Sequence, residues 1–113
     1  MEISSHHAGH DIVVIALREA NLDASNVREF KETVQALVGP TATRVVFDLQ
    51  GVKFIDSSGL GALISCLRQL NARRGDLRLC NLTPTVQALL ALMRMNRVFQ
   101  IFPDRQDAIA SFG

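Results

Sequence analysis

The chain alternates between short apolar runs and longer amphipathic stretches. The apolar runs have the length and the Val and Ile content of β-strands, and a weaker edge candidate precedes them near Glu2 to Ser5. The four stronger strand predictions are Asp11 to Leu17, Val45 to Leu49, Asp76 to Cys80 and Val98 to Phe102. The pattern predicts a single α/β domain over residues 1–113, with a mixed, mostly parallel sheet of about five strands, about four helices and right-handed crossovers.

The first predicted helix follows a turn at Asn21 to Asp23. It begins near Ser25, where Asn26 and Glu29 offer a capping box as one possible frame. Its apolar positions recur at helical spacing, and Gly39-Pro40 ends it because neither residue favours a continuing helix.

The other helices also carry start and stop residues. The second runs from the Asp56 region to about Arg74, where Gly75 stops it. Thr83-Pro84 predicts the start of the third, since Thr can cap and Pro at the first helical position loses no hydrogen bond. Asp104 predicts the cap of the last helix.

Residues 54–61, with the sequence FIDSSGLG, place two adjacent hydroxyl groups, Ser57 and Ser58, where a buried strand gives way to an amphipathic helix. The first N–H groups of a helix lack intrahelical partners and carry the positive end of the helix dipole, so a phosphoryl group is stabilised there. Ligand sites of parallel sheets also gather at the carboxyl ends of strands, where Asp56 and Ser57 fall. The sequence therefore suggests a phosphorylation switch.

A purely structural interpretation stands beside this one. Asp56 or Ser57 would cap the helix, Gly59 and Gly61 would permit close approach of a partner or of neighbouring backbone, and Leu60 would pack in the core. A cap needs only one hydroxyl, however, so the second is left without a structural task.

Composition excludes several function classes. A formal net charge of +1, from 12 basic and 11 acidic residues, does not suit a nucleic-acid surface, and no apolar stretch is long enough to span a bilayer. We expect a cytoplasmic protein without a cofactor. Cys66 and Cys80 lack metal or redox spacing and are interpreted as small buried apolar residues, and a metal site among His6, His7 and His10 is conceivable but has no supporting ligands.

The sequence resembles the STAS domain family, and within it the bacterial anti-sigma factor antagonists. The resemblance rests mainly on residues 45–49 (VVFDL) followed by residues 54–61. Supporting segments are Leu22-Asp23, Leu77-Arg78-Leu79, Leu82-Thr83-Pro84 and Val98 to Phe102. Two departures are Ala20-Asn21-Leu22-Asp23, where the family has a glycine before the first helix, and Asn96, which takes the place of a glycine after the third helix as a left-handed cap.

The resemblance implies a protein without catalytic activity. It would bind an anti-sigma factor that is also a serine kinase, thereby freeing a sigma factor, and a serine phosphatase would reverse the modification. The phosphorylated residue maps to Ser57, and Ser58 is only a neighbouring hydroxyl. Residues expected to form the partner-binding surface are Asp23, Asp56, Ser58, Gly59, Leu60 and Gly61.

Two other functions are compatible with the sequence. The same surface could dock on the ATPase of a lipid-transport ABC complex, as an accessory subunit without a phosphorylation cycle. A hydrolase that uses Ser57 as nucleophile fits less well, because the chain has no G-x-S-x-G elbow.

Overall fold

The computed structural model describes residues 1–9 and 11–112, and its centre is a five-stranded sheet with the order β1-β2-β4-β6-β7. The strands are β1 (Ile3–Ala8), β2 (Ile12–Leu17), β4 (Arg44–Asp48), β6 (Asp76–Cys80) and β7 (Gln100–Phe102). Only the β1–β2 pair is antiparallel, and the other neighbours are parallel. The predicted mixed, mostly parallel sheet is confirmed.

Four α-helices connect and cover these strands: α1 (Val27–Val38), α2 (Ser57–Ala72), α3 (Pro84–Leu92) and α4 (Arg105–Ala110). A 3-10 turn, Met95–Arg97, precedes β7. From β2 to β7 each new strand is added on the same side of the last one, so right-handed crossovers place α1, α2 and α3 on one face of the sheet. The predicted helix number is confirmed.

The core lies mainly between these three helices and the sheet. Alternate strand residues point to it, and Phe30 of α1 packs on Phe47 of β4 with ring centroids 5.7 Å apart. The opposite face carries a smaller cluster, in which Val14 and Val46 of the sheet pack with Ala108 of α4. One short helix thus covers the second face.

The start of α1 differs from the predicted one. The helix begins at Val27 rather than near Ser25, and the capping box is wrong because the Asn26 side chain makes no cap bond. Instead, Asn26 Oδ1 accepts the Asp23 N–H at 3.0 Å and Nδ2 donates to the Asn21 carbonyl at 2.7 Å. The predicted turn is also partly a strand, β3 (Asn21–Leu22), which pairs in parallel with β5 (Phe54–Ile55).

Two helix ends use arginine where the sequence suggested other residues. Arg74 has a φ of 63° after α2, whereas Gly75 is required because a Cβ there would overlap the Thr43 backbone. After α3 the left-handed residue is Arg94, with a φ of 59°, and the cap assigned to Asn96 is wrong. Positive φ is uncommon for a residue with a side chain, so composition alone did not indicate either position.

The two edge strands also differ from prediction. Strand β1 extends to Ala8, beyond the predicted Ser5, whereas β7 begins only at Gln100. Val98, predicted to start the last strand, is 46% exposed and follows the 3-10 turn. The predicted ends of α1 at Gly39 and the caps at Thr83 and Asp104 are confirmed.

An ion pair between the half-buried Arg105 and a buried carboxylate attaches α4 to the sheet. Asp48, at the end of β4, is only 4% exposed, and its carboxylate accepts hydrogen bonds from Arg105 Nε and, at 3.1 Å, from the Gln50 N–H. Removing a cation from such a pair leaves a buried charge without its partner, which costs more than the pair itself contributes.

Replacing Arg105 should therefore destabilise the fold. We expect Arg105→Met to lower the free energy of unfolding by about 3 kcal/mol, with partial recovery in the double variant that also carries Asp48→Asn. Urea denaturation followed by far-UV circular dichroism measures both. The exposed Arg97→Met is the matched control, with a change within about 0.5 kcal/mol. Equal effects of the two arginine substitutions would contradict the role of the ion pair.

Candidate functional site

The short β3–β5 pair places two loops side by side. Asn21 is paired with Phe54 and Leu22 with Ile55, so the residues that follow them, Asp23 and Asp56, leave the strands at the same edge. The Asp56 N–H donates to the Leu22 carbonyl at 3.3 Å and extends this alignment. The structure therefore brings together two acidic residues that are far apart in the sequence.

Asp56 holds the two loops together through both carboxylate oxygens. Oδ1 accepts the Gly59 N–H at 2.9 Å and caps α2, while Oδ2 accepts the Ala24 N–H at 3.2 Å. The predicted capping role is confirmed, and the bond to Ala24 adds a link that sequence reasoning missed. It was missed because the donor is a backbone group, which no residue type reveals.

The two serines occupy the first turn of α2 in different environments. Ser57 is exposed and is the first helical residue, whereas Ser58 is half-buried. Within the described residues the Ser57 hydroxyl forms no hydrogen bond, and as the first two residues of the helix both serines have N–H groups without an intrahelical acceptor. Ser57 thus combines an accessible hydroxyl with local donors suited to an anion.

The glycines of this turn have opposite surroundings. Gly59 is buried, and a Cβ there would overlap the Leu22 carbonyl and meet Ile55 Cγ2 at 3.0 Å. Gly61 is exposed with nothing within 4 Å of such a Cβ, so among the described residues no neighbouring backbone requires a glycine there. Leu60 is only 8% exposed and belongs to the core, as its structural interpretation predicted.

Asp23 is fixed by the loop that contains it. Its Oδ1 accepts the Ser25 hydroxyl at 2.5 Å and the Ser25 N–H at 2.9 Å, and these bonds lower the pKa of the Asp23 carboxyl below its ordinary value. A carboxylate with a lowered pKa stabilises the folded state at neutral pH, and this contribution is lost as the pH falls through the lowered pKa. The loop therefore keeps a negative charge beside Asp56.

An exposed aromatic ring adjoins the site. Phe54 is 45% exposed while its neighbour Ile55 is buried, as expected for adjacent residues on a strand. Sequence reasoning included Phe54 in the motif but assigned it no surface role. Residue type gave no signal, because consecutive apolar residues of this fold can both be buried, as all six residues of β2 are.

Among the described residues, the fold does not bring the histidines or cysteines together into a metal or redox site. Across residues 1–9 and 11–112, no three His, Cys, Asp or Glu side chains converge in a way that could hold a metal ion. His6 and His7 are exposed on β1, and His10 lies outside the described residues. Both cysteines are free, and desolvation raises the pKa of Cys80 to about 12. In the described chain no helix is long and apolar enough to cross a membrane.

Comparison with known proteins identifies the family. The model of the STAS domain matches residues 6–108. The chain belongs to the STAS domain family. An anti-sigma F factor antagonist of Paenibacillus polymyxa is 25% identical to this STAS domain over 104 residues, which cover 92% of this chain and 87% of that protein. The family resemblance is therefore confirmed.

Solved structures show the same STAS fold. An anti-sigma-factor antagonist (STAS) domain protein from Planctomyces limnophilus matches with a TM-score of 0.84 and 23% identity, over 98% of this chain and 97% of that one. The anti-sigma factor antagonist SpoIIAA in its unphosphorylated form matches with a TM-score of 0.80 and 22% identity, over 98% and 96% of the two chains. At these identities the likeness establishes the fold.

The contrast between the two glycines can be measured. Gly59→Ala should lower the free energy of unfolding by about 1–3 kcal/mol because the new methyl group overlaps the Leu22 carbonyl. Gly61→Ala, in open space within α2, should raise it by about 0.5–1 kcal/mol through its higher helix propensity. Urea denaturation measures the free energy of unfolding of both variants. Similar changes in the two variants would show that Gly59 is not closely packed.

The hydrogen bonds of the Asp23 carboxyl predict how its pKa changes when Ser25 is replaced. Ser25→Ala removes the hydroxyl donor, so the pKa of Asp23 should rise toward its ordinary value of 3.8. NMR titration of the side-chain carboxyl carbon measures the shift. Ser57→Ala serves as control, since the structure shows no bond between Ser57 and Asp23. An unchanged pKa in Ser25→Ala would exclude the hydroxyl as its main cause.

Proposed function

We propose that this STAS domain is an anti-sigma factor antagonist controlled by phosphorylation of Ser57. The unphosphorylated protein binds an anti-sigma factor that is also a serine kinase, and a sigma factor is released. Phosphorylation by that kinase ends the interaction, and a serine phosphatase restores the binding form. The observation that carries the proposal is the exposed Ser57 hydroxyl at the start of α2, beside loops fixed by Asp56. The antagonists among its relatives support the assignment.

The geometry favours a modified serine over a catalytic one. Both Asp56 oxygens already accept backbone N–H groups, so this carboxylate is occupied as a structural group and is poorly placed as a general base. A kinase supplies its own catalytic base and needs only an accessible hydroxyl from its substrate. Ser57 offers such a hydroxyl, and the protein acts in this proposal by binding alone.

The proposed partner surface separates into contacting and supporting residues. Ser57 and Gly61 are exposed, and Asp23, Asp56 and Ser58 are half-buried. We assign direct contact to these residues. Gly59 and Leu60 are buried, so they would act by holding the first turn of α2 against β3.

Phosphorylation changes the charge of this surface strongly. A phosphate adds about 1.5 to 2 negative charges, which takes the chain from a formal +1 to about −1 and places the new charge beside Asp23 and Asp56. The unpaired N–H groups of the first turn can donate hydrogen bonds to the phosphate oxygens without unfolding of α2. In a partner interface, however, burying the charge without a cation costs several kcal/mol, and about 3 kcal/mol weakens binding roughly a hundredfold.

Substitutions at the two serines test the switch. Ser57→Ala should stay bound to the cognate anti-sigma factor in the presence of ATP, while Ser57→Asp should bind about tenfold or more weakly because it buries a carboxylate. Calorimetry measures the affinities and peptide mass spectrometry locates the phosphate. Ser58→Ala is the matched control, with phosphorylation at Ser57 retained.

Two further outcomes separate the competing functions. Phosphate on a residue other than Ser57 would overturn the assignment of the site. Co-purification of an ABC-type ATPase from the native cell, with no serine kinase, would instead support the transport-accessory function.

A further inference from the structure

A cavity of about 250 Å³ lies between α1, α2 and the sheet, and Ser57 does not line it. Its floor consists of core side chains from both helices and from β4. These apolar residues are Val34, Val38, Val45, Phe47 and Leu70. The volume is below the range of about 300–1,000 Å³ typical of drug-sized ligands, so the cavity selects for a small ligand.

The rim of this cavity is cationic. Lys31 of α1 and Arg73 at the end of α2 line it together with Gln35 and Gln69, and no acidic residue is among the described residues that line it. Two positive charges above an apolar floor are complementary to a ligand with an anionic head and an apolar body. A neutral hydrocarbon would form no ion pair with these two cations.

Arg73 is held in position for such a head group. Its Nη1 donates to the Gly39 carbonyl at 2.9 Å and to the Ala42 carbonyl at 3.1 Å, so the guanidinium is fixed at the end of α1. Those two bonds are the ones that the structure gives the Arg73 side chain among the described residues, which leaves Nε and Nη2 as donors. The two bonds show that Arg73 is not a freely solvated side chain.

The cavity wall also contains Cys66. This thiol is half-buried, and burial raises its pKa to about 11, so it remains a neutral apolar group at physiological pH. The positive charge of Lys31 is close enough to lower the pKa of the same thiol, but this effect is smaller than that of burial. Cys66 therefore contributes an apolar wall and does not act as a nucleophile.

We propose that this cavity binds a small amphipathic monoanion, a carboxylate with a short aliphatic chain. The chain lies on the apolar floor, and the carboxylate pairs with Arg73, while Lys31 adds to the positive potential. The site is separate from the Ser57 surface and does not depend on the function proposed for it.

Octanoate is the probe for the test, with octan-1-ol as the uncharged analogue. Isothermal titration of the full chain should show saturable 1:1 binding of octanoate with a Kd of about 1 mM or below, and octan-1-ol should bind at least about tenfold more weakly. Amide NMR shifts should map octanoate to Val34, Cys66 and Leu70. Absence of saturable octanoate binding, equal binding of the alcohol, or shifts confined to another surface would overturn the proposal.

Variants test the residues assigned to the site. Arg73→Gln keeps an amide donor for the carbonyls at the end of α1 and should weaken octanoate binding about tenfold, while the exposed neighbour Arg74→Gln should leave it unchanged. Cys66→Met, which fills the cavity, should abolish binding while the far-UV circular dichroism spectrum is retained. Equal effects of Arg73→Gln and Arg74→Gln would indicate nonspecific charge attraction and overturn the proposal.

Discussion

The Asp56 carboxylate is the interaction on which the site depends. One of its oxygens caps the N-terminus of α2, and the other fixes the loop that precedes α1. Without it, the loop that precedes α1 would lose its side-chain link to the first turn of α2, where Ser57 lies. Because both oxygens are engaged by backbone donors, the surface around Ser57 is set by the main chain and does not rely on flexible side chains. In the proposed function, a protein partner binds this accessible hydroxyl in the unphosphorylated state and rejects the phosphorylated one.

The packing of the first turn of α2 against β3 and the core supports this arrangement. Gly59 lets α2 approach β3 so closely that no side chain fits between them, and Leu60 anchors the same turn in the core. Thr83, besides capping α3, donates its hydroxyl to the Val52 carbonyl at 2.7 Å and so holds the segment that leads into β5. The exposed part of the motif is therefore small, and most of its residues hold Ser57 in place.

The sequence predicted the sheet, the number of helices and the cap of α2, because apolar periodicity and side-chain caps are local properties. It did not predict β3, which is too short to show a period and forms only because β5 lies beside it. Positive φ at Arg74 and Arg94 was missed because residues with a side chain seldom adopt it, so the residue type does not indicate it. The pairing of Asp48 with Arg105 joins distant segments, so no local pattern could reveal it.

Helices α1 to α3 all lie on one side of the sheet, and α4 with the following Phe112 covers the other side. Since α4 follows every strand in the chain, a nascent polypeptide leaving the ribosome contains the whole sheet before it contains the cover for Ile12, Val14 and Val46. During synthesis that apolar face is open to chaperones and to other chains until the final helix emerges and Arg105 reaches Asp48.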